Sequence, residues 1–60
     1  MRKLIKARER RGLSQRALAE RAEVNHITIA RIETEQYDPQ LSTLRRLAKA
    51  LRVKVGDLVD

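Results

Sequence analysis

An all-α fold, a compact bundle of four to five short helices, is what this sequence predicts, and three observations carry the prediction. Apolar residues recur at the roughly 100° spacing of a helix in successive segments. Those segments are cut by helix punctuation: Gly12, the capping residues Ser14 and Asn25, and the turn pair Asp38-Pro39. The chain has 60 residues, enough for one domain near the lower limit for independent folding, and it carries no internal repeat or low-complexity run. Residues 1–60 are read as a single domain.

In the first helix, with Leu4 set at 0°, Met1 falls at about 60°, Ile5 at about 100° and Arg8 at about 40°. Arg8 therefore lies inside the apolar stripe, where an unpaired charge is expensive. Gly12 ends this helix, as glycine often does just past a C-terminus. Ser14 is a good N-cap for a second helix, Gln15 to Ala22, although Ala17 at the third helical position leaves the capping box incomplete. Leu18, Ala19 and Ala22 form its inner face. Asn25 is the next N-cap, three residues beyond Ala22. Two short helices joined so briefly must bend sharply, as in a helix-turn-helix or an ordinary helical hairpin.

The third helix, His26 to about Thr34, is the most informative segment. Ile29 and Ile32 share one side, with Glu33 at its border, while Ile27 and Arg31 fall on the opposite side. An exposed isoleucine beside an arginine is either a lone surface apolar residue, which is common, or part of a contact surface. Residues 35–39 read as a loop. A fourth helix, Leu41 to Leu51, places Leu41, Leu44, Leu47, Ala48 and Leu51 on one buried stripe, with Arg45, Arg46, Lys49 and Arg52 outside it. Val53, Val55, Leu58 and Val59 suggest a final short turn or helix that closes the core.

Composition narrows the function. The net charge is +6, and its distribution is uneven: residues 1–31 hold nine Lys/Arg against three Glu, residues 32–60 five against five acids. A one-sided basic patch suits a polyanion such as nucleic acid or an acidic membrane surface, although a charged face can also be merely solvated. Tyr37 is the only aromatic residue, so the base-stacking used by single-strand and RNA readers is poorly supplied, and duplex DNA is the better target. There is no cysteine and one histidine, which excludes disulfides and thiolate metal sites and leaves no zinc set. No cofactor is expected. No apolar run approaches the roughly 20 residues of a membrane span, and MRKLIKARERR lacks the apolar region of a secretory signal. A soluble, cytoplasmic protein is expected. No catalytic residue is assigned, because His26 has no evident paired acid and so small a domain offers little cavity.

The string Gly12-Leu13-Ser14-Gln15, Leu18-Ala19-Glu20, Val24, Thr28-Ile29, Arg31-Ile32-Glu33, Pro39, Thr43-Leu44 and Leu47-Ala48-Lys49-Ala50-Leu51 resembles the Xre-like, phage-repressor (lambda-repressor-like) helix-turn-helix family. The resemblance spans roughly residues 4 to 58 and puts the helix-turn-helix at about 14–34. It implies that Arg8 pairs with Glu33, tying the first helix to the recognition helix. It also implies that Gln15 and the start of the second helix bind phosphate, with Ser14 and Arg16 adding to that contact, and that Asn25, His26, Ile27 and Thr28, with Arg31 a turn later, form the groove-reading segment.

Residue chemistry suggests the roles. Arg31 suits a bidentate pairing with guanine O6/N7, and Ile27 suits a thymine methyl. Thr28 suits phosphate or base. Asn25 is ambiguous, since a cap is not freely a base reader, and His26 is read equally as a contact or as a plain surface histidine. Two positions depart from the family: Glu23 and Glu35 stand where glycine is frequent, so a left-handed backbone there is strained. The loop 35–38 is not basic, which leaves its phosphate contact open.

The implied function is a transcriptional regulator, a repressor in the first instance, that binds a pseudo-palindromic operator in double-stranded DNA. It would act as a homodimer that is weak or DNA-induced, given the short segment after the fourth helix. The competing class is a protein-interaction adaptor or antitoxin-type module on the same scaffold, with weak or non-specific DNA binding and a protein partner. A salt-sensitive interaction without base preference distinguishes the second from the first.

Overall fold

A computed structural model of the chain describes residues 1–59. Four α-helices, α1 (Arg2–Arg10), α2 (Gln15–Ala22), α3 (His26–Glu33) and α4 (Leu41–Leu51), are followed by a 3-10 turn at Val55–Asp57. The bundle measures 23 × 22 × 19 Å. α2 lies between α3 and α4, α1 packs on α3, and the 3-10 turn packs on α4. Among the described residues, no helix is long and apolar enough to cross a membrane.

The core draws on all four helices. Leu4 comes from α1, Leu18, Ala19 and Ala22 from α2, Ile29 and Ile32 from α3, and Leu47, Ala48 and Leu51 from α4; Leu13 and Leu58 close it from the connections. These are largely the inward positions expected from the sequence, with two corrections. Val59, expected to help close the core, is 44% exposed. Leu41, expected on the buried stripe, is 53% exposed, and Leu44 is only half-buried. α4 has 11 residues against 8 in α2, about 16 Å against about 12 Å of rise. Leu41 lies in the first turn of α4, ahead of that helix's buried residues Leu47, Ala48 and Leu51.

All four helices end by the same device. At each C-terminus one residue takes a left-handed conformation: Gly12 (φ 67°), Glu23 (φ 57°), Glu35 (φ 60°) and Arg52 (φ 57°). The N–H of the following residue then reaches back five positions: Leu13 to the Arg8 carbonyl at 3.1 Å, Val24 to Ala19 at 3.0 Å, Gln36 to Arg31 at 2.8 Å and Val53 to Ala48 at 3.0 Å. This is the Schellman arrangement, which satisfies carbonyls that a helix end leaves orphaned. In three of the four the residue after the left-handed position is apolar and packs into or against the core: Leu13, Val24 and Val53. Burying that side chain helps hold a non-glycine residue in a conformation costing about 1–2 kcal/mol.

The positive charge is less one-sided in space than along the chain. α4 carries Arg45, Arg46 and Lys49 on its outer face with no acid between Leu41 and Leu51, and Arg46 and Lys49 share a groove with Arg21 of α2. Basic groups therefore stand on α4 as well as on the N-terminal half, and charge alone does not single out one helix.

Candidate nucleic-acid interface

The start of α2 is an open hydrogen-bond donor. Ser14 caps it, its Oγ accepting from the Ala17 N–H at 3.0 Å, and the Leu18 N–H bonds the Ser14 carbonyl at 3.0 Å. The N–H groups of Gln15 and Arg16 have no acceptor among the described residues. Two free N–H groups at a helix N-terminus, with the positive end of the dipole, make a ready position for an anion. Arg16 is exposed beside them.

α3 begins in a similar way. Asn25 Oδ1 accepts from the Ile27 N–H at 2.8 Å, and the Thr28 N–H bonds the Asn25 carbonyl at 3.0 Å. The cap occupies Oδ1 and leaves the Nδ2 hydrogens as the side chain's outward chemistry. A bidentate reading of adenine, which needs both atoms, conflicts with the cap. Asn25 and His26 line one shallow hollow together with Arg16 and Glu20. The structure thus brings Arg16 from α2 and Asn25 and His26 from the start of α3 to the same place.

Further along α3, Ile27 is 49% exposed and Arg31 is exposed. Ile29 and Ile32 on the other side are fully buried. One face of the helix is fixed in the core, and the other presents an apolar side chain and a cation one turn apart.

The other end of α3 is held by a polar cluster. Arg8 Nε donates to Glu33 Oε2 at 2.6 Å, Nη2 donates to Oε1 at 3.2 Å, and Nη1 donates to the Leu13 carbonyl at 2.8 Å. Glu33 Oε1 also accepts from Gln15 Nε2 at 3.0 Å. The Glu33 side chain is 5% exposed and that of Arg8 14%. Each nitrogen of the guanidinium and both carboxylate oxygens are engaged, which is what a buried pair requires to offset its desolvation.

Gln15 has an inward role that the sequence does not reveal. It is expected at phosphate, yet one of its amide hydrogens is directed to Glu33. A single amide nitrogen carries two hydrogens, so the second remains for an outward acceptor. Two further contacts carry no signal in the sequence. Arg11 Nε donates to the Leu51 carbonyl at 3.1 Å, fastening the end of α1 to the end of α4, and Arg46 Nη1 reaches the Glu23 carbonyl at 3.4 Å, in the turn between α2 and α3. Both depend on tertiary approach between segments far apart in the chain.

With this geometry in place, comparison with known proteins is specific. The sequence profile of a helix-turn-helix family matches residues 4–58. An immunity repressor protein of Bacillus phage phi105 is 45% identical over 56 residues, covering 92% of this chain and 39% of the relative. The HTH-type transcriptional regulator PuuR of Escherichia coli (strain K12) is 34% identical over 55 residues, covering 92% of this chain and 30% of the relative. The chain therefore spans less than half the length of these curated relatives. No solved structure matches.

Proposed function

The chain belongs to the helix-turn-helix family, and on that premise we propose that it is a sequence-specific binder of double-stranded DNA that regulates transcription as a repressor. α3 enters the major groove, where Arg31 and Ile27 read base edges and Asn25 and His26, at the start of the same helix, add further base contacts. The start of α2, with Ser14, Gln15 and Arg16, and Thr28 of α3 hold the phosphates. Phosphate contacts set register and base contacts give preference, so the two sets have separable effects. The operator is pseudo-palindromic and is bound by two copies related by two-fold symmetry.

One observation carries the reading. Ile27 and Arg31 stand exposed on a helix whose opposite face is locked in the core. The chemistry of that pair fits a thymine methyl and a guanine edge. The names of the relatives, a phage repressor and a transcriptional regulator, agree with it.

The second reading is an adaptor or antitoxin-type module in which Ile27 anchors a protein contact. The acidic and amide residues Glu35, Gln36 and Asp38, where a basic phosphate clamp would help, favour it. Selection of duplexes from a random pool by the purified protein separates the two. An enriched two-fold motif supports the regulator. Recovery of no motif, with binding that only fades as salt rises, overturns it in favour of the adaptor.

A further inference from the structure

The side of α3 that carries Ile27 is poor in hydrogen-bonding groups. Helical spacing puts Ala30, Arg31 and Thr34 within about 60° of Ile27, while His26 and Thr28 stand about 100° to either side. Ala30 has no polar side-chain atom, and Arg31 can only donate. The Thr34 hydroxyl donates its hydrogen back to the Ala30 carbonyl at 2.9 Å. The one acid of α3, Glu33, is buried in its pair with Arg8. Ile27 is also held still. Its N–H is taken by the Asn25 cap at 2.8 Å, and Ile29 and Ile32 of the same helix are fully buried. Branching at Cβ leaves an isoleucine in a helix one strongly preferred χ1 rotamer. Its methyl groups are therefore presented in a fixed place before any partner arrives.

We propose that Ile27 reads a C5-methyl group and not the base that bears it, so that 5-methylcytosine substitutes for thymine and cytosine methylation of the DNA raises affinity. The inference rests on the operator reading given above. Thymine and 5-methylcytosine carry the same methyl group at the same place in the major groove. Beside it they differ, thymine offering the O4 acceptor and cytosine the N4 donor. An isoleucine side chain bonds neither. Telling the two apart needs a polar group aimed at that edge, and the cation beside Ile27, Arg31, is suited to guanine. The paired purine also changes, from adenine to guanine. Asn25, the amide suited to reading adenine, has its Oδ1 engaged in the cap.

The spacing of the pair defines the step that is read. Four residues of helix separate Ile27 from Arg31 by about 6 Å, comparable to one or two base steps of about 3.4 Å. A thymine one or two steps from a guanine fits, and so does a methylated cytosine in the same relation. Unmethylated cytosine leaves a gap against Ile27 where the methyl group stood. Loss of one methyl-sized apolar contact corresponds to about a fourfold loss of affinity in each half-site.

The test starts from a motif selected by the purified protein, in which Ile27→Ala identifies the thymine it relaxes. At that position alone, duplexes are made with thymine, uracil, cytosine or 5-methylcytosine, and each is titrated with the parent and with Ile27→Ala. For the parent, uracil and cytosine should each weaken binding at least about fourfold per half-site, and 5-methylcytosine should return it to within about twofold of thymine. Ile27→Ala should bind uracil and thymine alike, and cytosine and 5-methylcytosine alike. Ile27 is exposed, so a circular dichroism spectrum matching the parent verifies that the variant is folded. A motif in which Ile27→Ala relaxes no thymine, uracil bound as tightly as thymine, or 5-methylcytosine bound as weakly as cytosine would overturn the methyl reading and leave the operator reading standing. Selection of no motif at all would overturn both.

Discussion

Arg8 and Glu33, 25 residues apart in sequence, meet in a bidentate pair whose shorter bond, Nε to Oε2, is 2.6 Å. The pair joins the last turn of α1 to the last residue of α3. It is sheltered from water, and it also fixes Leu13 through its carbonyl and Gln15 through its amide. One carboxylate thus connects the end of the helix proposed to read bases with the residue that begins the helix proposed to hold phosphate.

Breaking that pair from one side leaves a buried charge uncompensated. Glu33→Ala is expected to cost about 3–5 kcal/mol, enough to unfold much of so small a domain. The double variant Arg8→Met with Glu33→Leu should be markedly more stable than either single change, because an apolar pair avoids the desolvation cost. Urea denaturation of the parent, the two single variants and the double variant gives the cycle. Simple additivity of the two single effects would show that the residues act independently.

The left-handed helix ends predict opposite outcomes at two positions. Gly12→Ala introduces a Cβ that meets nothing within 4 Å, yet at φ 67° it should still cost about 1 kcal/mol from backbone conformation alone. Glu23→Gly relieves strain at φ 57° and should raise the melting temperature, by up to about 1 kcal/mol in stability. Thermal unfolding followed by circular dichroism reads both. A neutral Gly12→Ala would show that the left-handed backbone carries no strain there.

Asn25 separates capping from base contact. Asn25→Ala should lose about 1 kcal/mol of stability, and Asn25→Ser, which keeps an Oγ acceptor, should retain most of it. Because the cap occupies Oδ1, any DNA affinity that Asn25→Ser loses at unchanged stability is owed to the Nδ2 hydrogens. A comparison of melting temperature with affinity for a selected duplex apportions the two roles.

Phosphate contacts announce themselves through salt. Arg16→Ala should weaken binding to every duplex by a similar factor and flatten the plot of log affinity against log salt by about one unit. Lys6→Ala, on α1, should change neither by a comparable amount. Titrations at several salt concentrations make the comparison.

Much of this is legible in the sequence where a local rule decides it. Helical spacing puts Arg8 inside an apolar stripe and Glu33 at the edge of another, so each calls for a partner on sequence grounds alone. Ser14 and Asn25 cap because short polar side chains before apolar-periodic segments have few alternatives. Periodicity gives the face of a helix but not how far along it burial extends, so it assigns Leu41 to a core that stops short of it. Arg52 is hard to recognise as a left-handed helix end because glycine is the usual marker. The better signal there is the apolar residue immediately after, Val53, as Val24 follows Glu23. The inward turn of Gln15 depends on where Glu33 arrives from another helix, and no local pattern encodes that.

The most direct test of the central claim, that α3 reads bases while α2 holds the backbone, is a duplex selection repeated with Arg31→Ala, Ile27→Ala and Arg16→Ala. Arg31→Ala is expected to relax preference at a guanine and Ile27→Ala at a different position occupied by thymine. Each should lose about 1–3 kcal/mol of discrimination. Arg16→Ala should recover the unaltered motif at lower affinity. A motif left intact by both α3 substitutions would contradict the claim and place base reading elsewhere on the molecule.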